Sequence, residues 1–145
     1  IKGPDNPNPV YDLNKGDEVW FVIDTDKWGR QIVDLRNAVA AFEDWHIAQS
    51  NPSFEIWLYY HFIKTKPKEK IENFKNHLNQ IIEGGFDNRK HPVFLKDAIK
   101  NASANFAMEN DFPDYGSTAV FKLGRKILPL VELDIDLLLK NIKLK

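Results

Sequence analysis

The hydrophobic pattern of the chain begins with one continuous apolar run. Residues 19–23 are Val-Trp-Phe-Val-Ile, and Asp24 ends the run. Such a run predicts a strand that is buried on both faces, as in the middle of a parallel sheet. Because most sheets have about four to six strands, we expect its neighbours to come from an upstream segment or from another chain.

The next apolar residues are spaced for a helix and then for a second strand. Residues 31–42 have apolar positions three and four apart, which predicts an amphipathic helix. Residues 45–50 favour a strand, which the following Asn51-Pro52 ends. Asn51 suits the N-cap of another helix and Pro52 its first position, and this helix is expected to continue to residue 62 or 63.

Four more helices are predicted in the remainder of the chain. They cover residues 68–83 before Gly84-Gly85, residues 94–108, residues 117–128 before Pro129, and residues 132–145. The order strand, helix, strand, then helices predicts an α/β fold with a right-handed parallel unit. Its strands lie near residues 18–24 and 45–50, and a helical C-terminal extension follows.

Composition limits the class of protein. The 145 residues are enough for one domain, which we assign to residues 17–145, after a linker or truncated start at residues 1–16. A formal net charge of −1 argues against nucleic-acid binding through bulk charge, but it is compatible with a local basic patch. The absence of Cys excludes disulfides and thiolate chemistry. Since no apolar run reaches the roughly 18 residues of a membrane span, we expect a cytoplasmic protein without membrane contact.

The first candidate site is the pair Asp24 and Asp26, two carboxylates on a short turn after the first strand. Open α/β folds bind ligands at this edge of the sheet, and two carboxylates can share a Mg²⁺ that keeps water and phosphate ligands. Asp is also common in loops after strands, and the pattern occurs in haloacid-dehalogenase-type phosphatases and nucleotide-sugar transferases. Trp28 stands where the phosphatases have Thr or Val, and the chain is short for the transferase fold.

The second candidate site lies in the predicted helix after Pro52. Glu55 shares a helix face there with three apolar residues: Leu58, Tyr59 and Phe62. A carboxylate on such a surface is costly unless it is paired, protonated or bound to metal. Glu55 is therefore either a rim residue whose head reaches water or a carboxylate held near the Asp pair. His61 is a ligand, a base or, in the favoured interpretation, a hydrogen-bonded core residue.

Three segments resemble the signatures of the RloB-like family. Asp17-Glu18-Val19-Trp20-Phe21-Val22-Ile23-Asp24-Thr25-Asp26 is similar to the strand that ends in the family's acidic pair. Ser50-Asn51-Pro52-Ser53-Phe54-Glu55-Ile56-Trp57-Leu58, followed by His61-Phe62, resembles its second signature, in the same order and at a similar distance. Ser117-Thr118-Ala119-Val120 resembles its short Ser-Thr motif. The resemblance covers roughly residues 16–128.

The resemblance implies a Toprim-like fold that uses Mg²⁺ or Mn²⁺ to cut or join phosphodiesters. Asp24 and Asp26 would be the metal ligands and Glu55 the catalytic carboxylate. Three further residues would line the site: Asn51, His61 and Lys27. RloB-like proteins are usually paired with an AAA- or ABC-type ATPase sensor and are thought to be effectors in phage defence by abortive infection. The expected function is therefore that of a nuclease acting on RNA or DNA. The resemblance is also compatible with a homo-oligomer.

The chain departs from the family at its start. The family opens with an apolar strand followed by Glu-Gly-x-Thr-Glu, which carries the first catalytic Glu of the Toprim motif. Residues 1–16 contain no match, so this chain lacks that Glu. We therefore expect either that the matching segment lies upstream of Ile1 or that this chain is a degenerate relative without activity. The alternatives to a nuclease are a non-catalytic interaction module that docks on the ATPase and a haloacid-dehalogenase-like phosphatase.

Overall fold

A computed structural model describes residues 14–26, 30–68 and 71–143 of the chain as a mixed α/β structure. Its elements follow in the order β1 (Val19–Asp24), α1 (Gln31–Ala40), β2 (Trp45–Ser50), α2 (Glu55–Tyr59), α3 (Phe74–Ile81), a 3-10 turn (His91–Phe94), α4 (Leu95–Ala104), β3 (Met108–Glu109), β4 (Phe112–Pro113) and α5 (Val120–Lys143).

The predicted strand-helix-strand unit is confirmed. β1 and β2 pair in parallel, with Val19 opposite Trp45 and Asp24 opposite Ser50, and α1 connects them. On the other side of β2, residues 116–119 run alongside the strand, and the Ala119 N–H donates to the Gln49 carbonyl at 2.9 Å. In the part of the chain that the structure describes, the parallel sheet has two strands, and β3 and β4 form a separate antiparallel hairpin.

The expected burial of β1 on both faces is not reached within the described residues. Ile23 is 6% exposed, whereas its neighbour Val22 is 43% exposed. Successive side chains of a strand point to opposite faces, so one face of β1 packs inward and the other reaches solvent at Val22. The described strand is therefore covered less completely than a central strand would be.

The short helix α2 lies in the middle of the core, as its apolar sequence predicts. Ile56 and Tyr60 are completely buried, and they belong to a cluster with residues of α3, α4 and α5. The Tyr60 hydroxyl donates to the Gly116 carbonyl at 2.6 Å, and Asn101 donates to the Tyr60 carbonyl at 2.8 Å. These bonds satisfy polar groups that would otherwise be costly to bury, and they fix α2 against its neighbours.

The predicted start of α2 is wrong. Asn51 and Pro52, joined by a cis peptide bond, precede the helix, which begins at Glu55. The Asn51 side chain donates to the Pro113 carbonyl at 2.8 Å instead of accepting from a helix N–H. The Phe54 N–H, just before the first turn, donates to the Asp24 carboxylate at 2.7 Å. A contact distant in sequence thus replaces the local cap that Asn51 would supply.

The predicted helices over residues 68–83 and 94–108 are both shorter in the structure. α3 begins after Asn73, whose side-chain oxygen accepts from the Asn76 N–H at 3.1 Å and so caps the helix. Residues 69 and 70 lie outside the described residues. α4 ends at Ala104, and Met108 pairs with Pro113 in the hairpin.

Pro129 does not stop a helix, which corrects two predicted elements. α5 continues from Val120 to Lys143 and includes both the predicted helix before Pro129 and the predicted tail helix. Pro129 has no N–H, so the Arg125 carbonyl, four residues earlier, loses its helical partner. Arg125 is exposed, so water can satisfy that carbonyl, and burial of residues on both sides of Pro129, such as Phe121 and Ile135, holds the helix together.

Candidate functional site

The carboxyl ends of β1 and β2 bring the two sequence signatures together. Asp24 is the last residue of β1 and lies opposite Ser50, the last residue of β2. The turn with Asp26 and the segment from Asn51 to Glu55 therefore leave the sheet at the same edge. This is the edge at which open α/β sheets place their ligands.

Backbone hydrogen bonds hold the turn at residues 24–26, the acidic turn, against the segment after β2. The Thr25 N–H donates to the Ser50 carbonyl at 3.0 Å and to the Pro52 carbonyl at 3.1 Å. The Asp26 N–H also donates to the Pro52 carbonyl, at 3.2 Å. The two segments that carry the predicted site residues are thus fastened to each other.

A cleft of about 480 Å³ opens between these segments and the start of α3. Twelve of the described residues line it: Asp24, Asp26, Asn51, Pro52, Ser53, Glu55, Ile71, Glu72, Asn73, Phe74, Lys75 and Tyr115. Four of the predicted site residues are therefore at one place, namely Asp24, Asp26, Asn51 and Glu55. The described lining contains four carboxylates and one ammonium group, so the cleft favours cations over anions.

Asp24 and Glu55 are each positioned by α2. The Asp24 carboxylate accepts the Phe54 N–H at the beginning of the helix, and Glu55 is the first helical residue. Glu55 is half-buried and lines the cleft, whereas Asp26 is exposed. Glu55 is therefore a rim residue that shares the cleft lining with the Asp pair.

The donor chemistry of the cleft fits an open divalent-cation site. Asp24 and Asp26 supply the hard oxygen ligands that Mg²⁺ takes, and Mg²⁺ typically keeps several waters beside one or two carboxylates. Among the described residues, no group of three His, Cys, Asp or Glu side chains is arranged to hold a metal ion. The residues present thus fit an ion held by two protein carboxylates, not one enclosed by a protein cage.

Asn51 lies in the cleft but has another role, His61 lies elsewhere, and Lys27 is not described. The Asn51 amide lines the cleft, but its N–H₂ is bonded to the Pro113 carbonyl. His61 lines a different, mostly apolar cavity of about 700 Å³ with Trp57 and Phe86. Its Nδ1 lies 2.9 Å from the Trp57 carbonyl and donates to it, which is the favoured core interpretation. Lys27 lies outside the described residues.

Several residues of the cleft were not identified from the sequence. Lys75 and Asn73 come from the first turn of α3, and the Tyr115 hydroxyl accepts from the Ile71 N–H at 2.6 Å. Asn73 has a recognisable N-cap signal, because Asn is common before a helix. Nothing in the local pattern places α3 beside the acidic turn, since that contact depends on the packing of α2 against α3.

Comparisons with known proteins gave one match. The family model described as RloB-like protein matches residues 8–127, which includes the acidic turn, the segment after β2 and the Ser117-Thr118 motif. No curated protein and no solved structure matches the chain. Among the described residues, none of the helices combines the length and the apolar composition that a bilayer span requires.

Proposed function

The chain belongs to the RloB-like family, and from this premise we propose that it is part of a metal-dependent nuclease-type effector. Its substrate is a phosphodiester of RNA or DNA, and its cofactor is Mg²⁺ or Mn²⁺. We further propose a Toprim-like origin of the parallel unit and a role in cytoplasmic phage defence. An AAA- or ABC-type ATPase is the proposed sensor partner, and a homo-oligomer is compatible with this scheme.

One observation carries the proposal: Asp24, Asp26 and Glu55 line a single cleft at the carboxyl edge of the parallel strands. The sequence separates Glu55 from the pair by about thirty positions, and the fold brings all three to one opening. Clustered carboxylates repel one another unless a cation or a proton compensates them. A divalent cation that also contacts phosphate is the ligand that best explains their placement.

The roles of the residues follow from their positions. Asp24 and Asp26 would hold the metal ion, which would supply charge stabilisation to a phosphodiester under attack. Glu55 would accept a proton from the attacking water at a carboxylate oxygen, as a general base does. Lys75, which lines the same cleft, would bind a non-bridging phosphate oxygen and orient the substrate.

A non-catalytic interaction module is the second candidate. It is favoured by the contact between the Asp24 carboxylate and the Phe54 N–H, which gives Asp24 a structural role without a metal ion. In this alternative the α/β unit docks on the ATPase, and Asp24 caps the start of α2 through the Phe54 N–H instead of binding a metal ion. The two candidates differ in metal binding, which makes that property the first one to measure.

The test is a titration of the full-length protein with Mn²⁺, followed by the paramagnetic resonance of the free ion. Asp24→Asn and Asp26→Asn should each weaken binding at least about tenfold. Asp34→Asn is the matched control, because Asp34 is an exposed carboxylate in the first turn of α1. Equal Mn²⁺ affinity in the parent and all three variants would reject the metal site and favour the interaction module.

A further inference from the structure

Thr25 stands between the two carboxylates and has an unusually complete set of hydrogen bonds. Its N–H donates to the Ser50 and Pro52 carbonyls. Its Oγ1 donates to the Ser50 carbonyl at 2.8 Å and accepts from Gln49 Nε2 at 2.9 Å. The side chain and the backbone of this residue are therefore both fastened to the end of β2.

Gln49 is the buried member of this network. It is 4% exposed, and its Oε1 accepts from Arg36 Nη2 at 3.0 Å. Arg36 in turn packs over the Phe112 ring, 4.3 Å from the ring centre. Because a guanidinium can only donate, the contact with Arg36 fixes which end of the Gln49 amide is oxygen, and the N–H₂ end must then point at Thr25.

These hydrogen bonds restrict the conformation of the acidic turn. A hydroxyl that donates to one group and accepts from another has a single suitable rotamer, and a buried amide with both ends bonded resists reorientation. Thr25 is held on the sheet, so Asp24 and Asp26, on either side of it, leave the strand in a fixed direction towards the cleft. Outer residues of this kind commonly set the orientation of metal ligands.

We propose that Gln49 and Thr25 are positioning residues for the metal site, with Arg36 fixing the Gln49 amide. This inference rests on the proposed function, since it assigns to the two residues the pre-organisation of the Asp24 and Asp26 carboxylates. Gln49 lines a separate cavity with Arg36 and does not line the cleft, so it acts through Thr25 and does not bind the cation.

The first test compares Mn²⁺ affinity in Gln49→Met, Thr25→Val and Thr25→Ser. Met fills the volume of Gln without the amide, and Val fills that of Thr without the hydroxyl. Both should weaken Mn²⁺ binding about tenfold, as loss of outer-shell hydrogen bonds does. Thr25→Ser retains the hydroxyl and should stay within about twofold of the parent. A merely structural role would instead leave Mn²⁺ affinity unchanged in any variant that remains folded.

The second test uses no metal and therefore separates this inference from the proposed function. Amide hydrogen exchange in metal-free buffer should become at least about tenfold faster at Thr25 and Asp26 in Gln49→Met. The Ala98 amide, in buried helix α4, serves as the control for an intact fold. If Asp24→Asn leaves Mn²⁺ binding unchanged, the proposed function fails, while faster exchange at Thr25 in Gln49→Met still shows that Gln49 holds the turn at residues 24–26 in place. If Asp24→Asn weakens binding but Gln49→Met and Thr25→Val alter neither affinity nor exchange, the positioning role is overturned.

Discussion

Protonation of His61 should destabilise the fold in mildly acidic solution. The imidazole is 6% exposed and lies edge-on to the Trp57 and Phe86 rings, with centroids 5.1 Å apart in both cases. Burial lowers the pKa of His61 from 6.5 to about 4. The Trp57 and Leu58 carbonyls oppose this decrease, a charge on His91 adds to it, and Asp97 opposes it. The folded protein therefore keeps this side chain neutral.

The sign and the size of the effect follow from that difference. Between pH 6.5 and pH 4 the unfolded chain binds a proton at His61 that the folded chain does not bind. The free energy of unfolding that neutral His61 contributes is therefore fully present above pH 6.5, and it is lost as the pH falls towards 4. At about 1.4 kcal/mol for each pH unit, the whole loss is about 3 kcal/mol, of which about 2 kcal/mol or more is reached by pH 4.5.

Urea unfolding of the parent and of His61→Gln at pH 7.5 and pH 4.5 measures this loss. Gln can donate to the Trp57 carbonyl but does not titrate, and all other ionisable groups are the same in both proteins. The parent should lose about 2–3 kcal/mol more than the variant on acidification. Unfolding free energies that change in parallel, within about 0.5 kcal/mol, would refute the argument that burial depresses this pKa.

Three further predictions concern other elements of the structure. Pro129→Ala should raise the unfolding free energy by about 1–3 kcal/mol in urea and increase the helical circular dichroism, because α5 continues through Pro129; a loss of stability would contradict the continuous helix. Asp24→Ala should lower the free energy of unfolding by about 1 kcal/mol in metal-free buffer, because the contact with Phe54 is lost. Asp26→Ala should lower it by less than about 0.5 kcal/mol, and equal decreases would count against the capping role. Glu55→Gln should stabilise the metal-free protein by a few tenths of a kcal/mol or more and should weaken Mn²⁺ binding. If neither the free energy of unfolding nor the Mn²⁺ affinity changes, Glu55 is not part of the site.

The sequence predicted the parallel unit and the shared location of four site residues. Residues 19–23 and 45–50 carry this information in their local pattern, because an apolar run ended by polar and loop-forming residues constrains a strand regardless of distant contacts. Two such strands joined by a helix favour the parallel pairing of a right-handed crossover, in which their carboxyl ends meet. The juxtaposition of Asp24 with the segment after Ser50 follows from that topology alone.

The elements that were not predicted depend on contacts between distant parts of the chain. Asn51 has the ideal chemistry for a cap, but its amide bonds to Pro113, more than sixty residues later. Pro129 is a strong local stop signal, and the buried residues around it outweigh that signal. Lys75 reaches the cleft only because α3 packs against α2. None of these contacts can be predicted from the spacing of residues along the chain.

Cleavage by the full-length protein, together with the proposed ATPase partner, tests the metal-dependent nuclease function most directly. End-labelled RNA and DNA are incubated with Mn²⁺ or with a chelator, using the parent, Asp24→Asn, Asp26→Asn and the control Asp34→Asn. We predict that the parent and the control cleave only with the metal ion present, and that cleavage decreases at least about a hundredfold in the two site variants. Cleavage that persists in the chelator, or that is equal in all four proteins, would contradict the proposed function.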